Sequence, residues 1–225
     1  EWGFKYTRED IRDRLVEWEA IDSAGFSLPN PEIDIPNDQP YNPYVGPLSP
    51  YKNVRAANFI KINRFSGYAQ WNYRGSLGSN QIWINAGARA HQWQVTGVPT
   101  KGKSQIVFSP RAQFAIKPDW DKDMVFRLSG GLYHQPPFYR ELRDYDGVVQ
   151  PNVKAQQSIH IVASNDYSFK MWNRPFKLVS EAYYKNLTDV NTYTIDNVRI
   201  RYRANNDATA YVYGADFRLN GEFVP

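Results

Sequence analysis

Cysteine is absent from this chain of 225 residues, which excludes disulfide bridges and thiolate metal sites. No stretch approaches eighteen consecutive apolar residues, and this excludes a membrane-spanning helix. The three histidines are scattered, without the spacing of metal ligands. The net charge is only +4, and the densest basic cluster, Arg199, Arg201 and Arg203, is too small to favour nucleic-acid binding. We therefore predict no metal, no cofactor and no nucleic-acid partner.

A catalytic centre is not indicated either. Ser129-Gly-Gly lies close to Tyr133 and His134, as in some hydrolases, but the segment lacks a nucleophile-elbow pattern. It also lies inside a predicted strand, where the serine would not be presented on a sharp turn. We predict that the chain is not an enzyme.

Aromatic residues are abundant instead, at 16% of the chain, and apolar and polar residues alternate in long segments. Because the side chains of a strand alternate between faces, such a segment has one apolar and one polar face. About eight such segments, with aromatic residues near their ends, are typical of a transmembrane β-barrel in the outer membrane of a Gram-negative bacterium. In residues 123–133 the apolar or small set is Met124, Phe126, Leu128, Gly130 and Leu132, set against Val125, Arg127, Ser129, Gly131 and Tyr133.

The fold class predicted from this pattern is all-β, with antiparallel strands that alternate between long loops and short turns. The first loop, 21–53, holds seven prolines, which cannot donate to a strand ladder. Long loops of outer-membrane barrels face outward, so we assign loops 21–53, 134–154 and 188–207 to the extracellular side. Residues 9–19 also fit a helix, which stays an alternative. The strands are predicted roughly at 1–20, 57–74, 81–95, 104–117, 123–133, 155–171, 176–187 and 208–223, with tight turns at 75–80 and 173–175.

The alternation also predicts where individual side chains point. The outer mouth of the barrel is our predicted ligand-binding region, while the inward arginines either line a substrate path or, as we favour, satisfy buried polar groups. The predicted ligand-binding residues are Tyr133, His134, Phe138, Tyr139 and Arg140. The predicted lumen-facing residues are Arg64, Arg89, Arg111 and Arg127. The predicted lipid-facing residues are Trp71, Phe108, Phe114, Phe126, Leu128 and Phe217.

Several segments resemble the barrel of TonB-dependent outer-membrane receptors, most closely those of the Bacteroidetes. They are Phe108-Ser-Pro-Arg-Ala-Gln-Phe-Ala-Ile-Lys-Pro118, Phe126-Arg-Leu-Ser-Gly-Gly-Leu-Tyr-His-Gln-Pro-Pro-Phe138, Ser180-Glu-Ala-Tyr-Tyr-Lys-Asn-Leu-Thr-Asp189 and Tyr213-Gly-Ala-Asp-Phe217. The resemblance implies a barrel of about 22 strands closed by an N-terminal plug domain. Nothing in this chain resembles the plug or the segment that engages TonB. We therefore expect an internal slice of such a barrel, and a complete eight-stranded barrel is the alternative.

The function implied by the resemblance is import of a large scarce ligand, such as a siderophore, cobalamin, glycan or peptide, across the outer membrane. Its implied partners are outer-membrane lipid, the plug domain, the remaining barrel strands, TonB, and a surface lipoprotein or other subunits of an outer-membrane complex. One alternative is a receptor-like barrel that serves as a structural subunit of such a complex. Another is a soluble carbohydrate-binding β-domain. Asp22-Ser23-Ala24 also resembles a short O-glycosylation motif of Bacteroidetes.

Overall fold

Eight long strands form one antiparallel sheet in this computed structural model, which describes residues 1–19, 52–98, 102–196 and 199–222. The order across the sheet follows the order in the chain, so each strand pairs with its neighbours in sequence. The antiparallel all-β prediction is confirmed. The strands of this sheet are β1 (Trp2–Glu19), β2 (Lys52–Leu77), β3 (Asn80–Val98), β4 (Gln105–Lys117), β5 (Asp123–Gln135), β6 (Gln156–Met171), β7 (Arg174–Val190) and β10 (Ala208–Gly221).

Three smaller elements lie in the connections. The four-residue helix α1 (Tyr139–Leu142) follows β5, and a two-stranded hairpin made of β8 (Tyr193–Asp196) and β9 (Arg199–Tyr202) stands between β7 and β10. No helix in the described part of the chain is long and apolar enough to cross a membrane.

The connections differ in length at the two ends of the sheet. One end, called the turn end here, carries only short connections, at residues 78–79, 118–122 and 172–173. The opposite loop end carries residues 20–51, 99–104, 136–155 and 191–207. At the turn end, Trp172 and Asn173 both have positive φ, of 54° and 60°, as a two-residue hairpin turn of the primed type requires. Gly78, with φ of 62°, serves the turn between β2 and β3.

Several predicted boundaries are wrong. Strand β2 begins at Lys52, inside the predicted loop 21–53, because it pairs with β1 as far as Glu19. The turns at the turn end are tighter than the predicted 75–80 and 173–175, since positive φ reverses the chain within two residues. Residues 188–207 do not simply extend the flanking strands but include the separate hairpin β8–β9, and residues 134–154 include α1. The rest of loop 21–53, with Ser23, lies outside the described residues.

The sheet has one polar face and one apolar face. Directly opposed residues of neighbouring strands share a face, and consecutive residues of one strand alternate between faces. Following the register from β2 to β5 places the four predicted lumen arginines on one face, and following it from β2 to β10 places the six predicted lipid-facing residues on the other. The pairs that carry the register are Tyr68–Arg89, Gly87–Arg111 and Ala115–Arg127 on the polar face, and Trp71–Ala86, Ala86–Ala112, Phe114–Leu128, Leu128–Ala163, Ala163–Ala182 and Ala182–Ala215 on the apolar face.

The main core lies on the polar face at the loop end, where residues 136–155, here called the covering segment, pack against β2 and β3. Hydrogen bonds fix this segment: Arg64 Nη2 donates to the Pro137 carbonyl at 2.7 Å, and Asn58 Nδ2 to the Gly147 carbonyl at 2.9 Å. The buried cluster beneath it comprises Ile60, Ile62, Trp93, Val95, Leu142, Val149, Val153, Ala155 and Ala204. The covering segment is therefore a packed part of the fold.

Candidate ligand-binding site

A cleft of about 550 Å³ lies at the loop end of the polar face, between β1, the start of the covering segment and the hairpin β8–β9. Its volume is in the range of small-molecule binding sites. Apolar and aromatic side chains alternate with charged ones along its walls. The lining residues are Ile11, Arg12, Asp13, Leu15, Glu17, Tyr139, Arg140, Arg143, Asp144, Tyr145, Arg199, Ile200, Arg201 and Tyr202.

Asp13 joins β1 to the covering segment on one side of the cleft. Its Oδ2 accepts a hydrogen bond from the Tyr139 hydroxyl at 2.5 Å and pairs with Arg143 Nη1 at 2.6 Å. Both partners of the ion pair are about three-quarters buried, at 22% and 24% exposure. Burial and the hydrogen bond to Asp13 raise the pKa of Tyr139 to about 12, so the phenol stays protonated and acts as a donor.

Glu17 joins β1 to the hairpin on the other side of the cleft. Its two carboxylate oxygens pair with Arg199 Nη1 at 3.3 Å and with Arg201 Nη2 at 2.8 Å. The carboxylate of Glu17 therefore contacts two guanidinium groups. Of these, Arg199 is half exposed and lines the cleft.

Arg140 adds a further positive charge. It is exposed, and its side chain forms no hydrogen bond or ion pair with any other described residue. Asp144, the remaining carboxylate of the lining, accepts hydrogen bonds from the backbone N–H groups of Asp146 and Val148 at 3.0 and 2.9 Å. Among the described lining residues, guanidinium groups thus outnumber carboxylates.

The five predicted ligand-binding residues do not form one site. Tyr139 and Arg140 line the cleft, but Phe138 lines a separate cavity of about 320 Å³ beside Arg64 and Arg89. Tyr133 lines a third cavity of about 280 Å³ and stacks on His160. His134 is occupied by hydrogen bonds to Ser109 and Gln157, both at 3.1 Å.

The four predicted lumen arginines have different surroundings. Arg127 makes two hydrogen bonds to Asp166, at 2.7 and 2.9 Å, and Arg64 pairs with Glu9 at 3.3 Å in addition to its bond to the covering segment. Arg89 lies 5.9 Å from the Tyr68 ring centroid, and Arg111 is exposed on the cavity that Tyr133 lines. Arg64 and Arg127 are therefore held by partners within this chain.

Sequence reasoning missed most of the cleft. Nothing local in the sequence marks Asp13 or Arg143 as a site residue, because their partners are far away in the chain: Tyr139 and Arg143 lie 126 and 130 residues from Asp13. The cluster Arg199, Arg201 and Arg203 is too small to indicate nucleic-acid binding, and two of its members, Arg199 and Arg201, line the cleft. The alternation of arginine with Ile200 and Tyr202 was the available sign of a strand with one basic face.

Between β4 and β10 the apolar face is lined mostly by uncharged side chains. The six predicted lipid-facing residues are exposed on this face, from 37% at Phe126 to 75% at Phe217, and a groove of about 460 Å³ runs over the small side chains Ala163, Ala182 and Ala215. Across the described ranges, no three His, Asp or Glu side chains are grouped as metal ligands would be.

No family model, curated protein or solved structure matches this chain.

Proposed function

We propose that this sheet is part of the barrel wall of a TonB-dependent outer-membrane receptor of the Bacteroidetes type, which imports a large scarce ligand. The observation that carries the proposal is the exposed apolar face, which continues without a charged side chain from Trp71 on β2 to Phe217 on β10. Soluble monomers rarely expose apolar patches of more than a few hundred Å². Contact with lipid would remove the free-energy cost of exposing this patch to water.

The dimensions of this face support the proposal. The apolar run from Tyr211 to Leu219 of β10 covers eight residue steps, or about 27 Å along the strand. Outer-membrane barrels carry an apolar band about 25 Å tall, flanked by aromatic girdles. Aromatic side chains pair at both ends of the band. The pairs are Trp71–Tyr73, Trp120–Phe126 and Phe169–Phe176 toward the turn end, and Tyr6–Phe65 and Tyr211–Tyr213 toward the loop end.

The polar face supports the proposed role in ligand binding. In the proposed orientation the loop end is extracellular, and the cleft opens where a ligand arrives from outside. Tyr139 and Arg140, which were predicted as ligand-binding residues, lie in it. The partners in this proposal are outer-membrane lipid, the plug domain, the remaining strands and TonB, and no covalent chemistry is assigned to the chain.

A second candidate is a structural subunit of an outer-membrane complex. The hairpin β8–β9 favours it, because Tyr193 and Ile195 are exposed by 55% and 69% at the loop end, where a partner protein would dock. Retention of the protein in a large complex together with loss of ligand uptake would favour this candidate over the transporter.

Arginine substitution on the two faces tests the membrane proposal. Leu128→Arg places a charge on the apolar face, and near the bilayer midplane this should cost about 2–4 kcal/mol of unfolding free energy. Gln113→Arg, on the neighbouring strand but the polar face, is the matched control and should cost less than about 1 kcal/mol. The measurement is urea unfolding of the full-length protein in lipid vesicles.

Equal costs for the two variants would contradict the proposal. Fractionation of cells gives an independent check, since the protein should appear in the outer membrane and require detergent for extraction. Solubility without detergent would favour the carbohydrate-binding β-domain instead.

A further inference from the structure

Among the residues that the structure describes, the cleft carries more arginine than acidic side chains. Arg143 pairs with Asp13, and Arg199 shares the carboxylate of Glu17 with Arg201. Arg140 has no hydrogen-bond or ion-pair partner in the part of the chain that the structure describes.

The arrangement is suited to an oxyanion. A guanidinium group presents a planar set of donors that matches a carboxylate or phosphate, and two such groups are common where these anions are recognised. Arg140 on the covering segment and Arg199 on the hairpin line the same cleft from different elements. An anion between them would receive charge-assisted hydrogen bonds from both sides.

The remaining walls indicate what else the ligand carries. Ile200 and Tyr202 on the hairpin, with Ile11 and Leu15 on β1, give the cleft an apolar side, and the volume of about 550 Å³ exceeds what a small inorganic anion fills. The Tyr139 hydroxyl donates its hydrogen bond to Asp13, so it is not available to bind the anion.

We propose that this cleft binds a ligand that combines a carboxylate or phosphate group, held by Arg140 and Arg199, with an apolar or ring-containing part held against Ile200 and Tyr202. The inference depends on the proposed receptor function and names its substrate class, a small acidic compound or the acidic part of a larger one. Glu17 competes with the ligand for Arg199.

The test is isothermal titration calorimetry of the full-length protein in detergent at low ionic strength, with citrate and inorganic pyrophosphate as separate probes. Wild-type protein should bind at least one of them. Arg140→Gln should weaken that binding about tenfold, as expected for loss of a charge-assisted hydrogen bond. Arg218→Gln removes a charge from β10, outside the cleft, and should leave binding unchanged.

Glu17→Gln has an effect of opposite sign, which a purely structural role of these residues would not produce. Removal of the competing carboxylate should strengthen binding of the probe, because Arg199 no longer shares its guanidinium group with Glu17. Arg199→Gln, at a half-exposed position, should weaken binding of the probe. This test remains valid even if the Glu17 variant does not fold.

Binding of citrate alone assigns a carboxylate ligand, binding of pyrophosphate alone a phosphate ligand, and binding of both a general oxyanion site. Failure of wild-type protein to bind either probe would overturn the inference, as would equal affinities of Arg140→Gln and Arg218→Gln. Calorimetry in detergent does not depend on where the protein resides in the cell, so its failure is separable from a failure of the Leu128→Arg comparison.

Discussion

Asp166 joins two cationic side chains on the polar face near the turn end, and its removal should measurably destabilise the sheet. The carboxylate accepts two hydrogen bonds from Arg127, at 2.7 and 2.9 Å, and pairs with Lys177 at 2.7 Å. Its side chain is only 10% exposed, and that of Arg127 is 33% exposed. Asp166→Ala would leave a largely buried guanidinium group without its acceptors.

The expected cost follows from these exposures. Breaking a fully buried ion pair by removing one partner costs about 3–5 kcal/mol. Arg127 retains one-third of its exposure and Lys177 about half, so water compensates part of the loss. We expect Asp166→Ala to lower the free energy of unfolding by about 2–3 kcal/mol.

Asp123 offers a matched control at the same end of the sheet. It pairs with Lys117 at 2.6 Å, but the two side chains are 52% and 40% exposed. Asp123→Ala should therefore cost less than about 1 kcal/mol. Both variants are measured by urea unfolding of the full-length protein in lipid vesicles, and equal costs would refute the argument from burial.

Two further predictions concern the covering segment and the turns. The raised pKa of Tyr139, about 12 against 10 for an ordinary tyrosine, means that the folded state binds the proton more tightly, so stability should fall as the pH rises from 10 to 12. In thermal unfolding scans, Tyr139→Phe should lose less stability than the wild-type protein between pH 10 and 12. If the variant and the wild type showed the same pH profile, this prediction would be refuted. Gly147→Ala should cost at least about 2 kcal/mol, because φ is +79° and a Cβ would lie 2.7 Å from that of Ala56. Gly78→Ala, with φ of +62° but open space, should cost only about 1 kcal/mol in the same scans, and equal costs would contradict the packing argument.

The strands could be predicted wherever alternation is continuous. Residues 123–133 were predicted as a strand, and β5 runs from Asp123 to Gln135. The start of β2 could not be predicted in this way, because residues 52–57 mix polar, apolar and small side chains without a period of two. Pairing with the far half of β1 determines that part of the strand.

The cleft could be predicted only in part. Tyr139 and Arg140 were found because they follow a strand end at the predicted mouth, but nothing local connects them to Asp13 or to the hairpin. Such contacts arise when the covering segment folds back onto the polar face, a long-range event with no periodic signature. The barrel, the membrane and the transported ligand stay predictions.

The covering segment gives the cleft a rigid wall. Its backbone is tied to β2 through Arg64 and Asn58 and to the region beyond β7 through Asn191, which donates to the Glu141 carbonyl at 2.8 Å. A ligand that contacts Arg140 therefore meets a surface already in its bound shape, and little affinity is spent on ordering a loop. Selectivity in such a site comes from fit and charge, and the rate of capture depends on how freely the ligand diffuses to the opening.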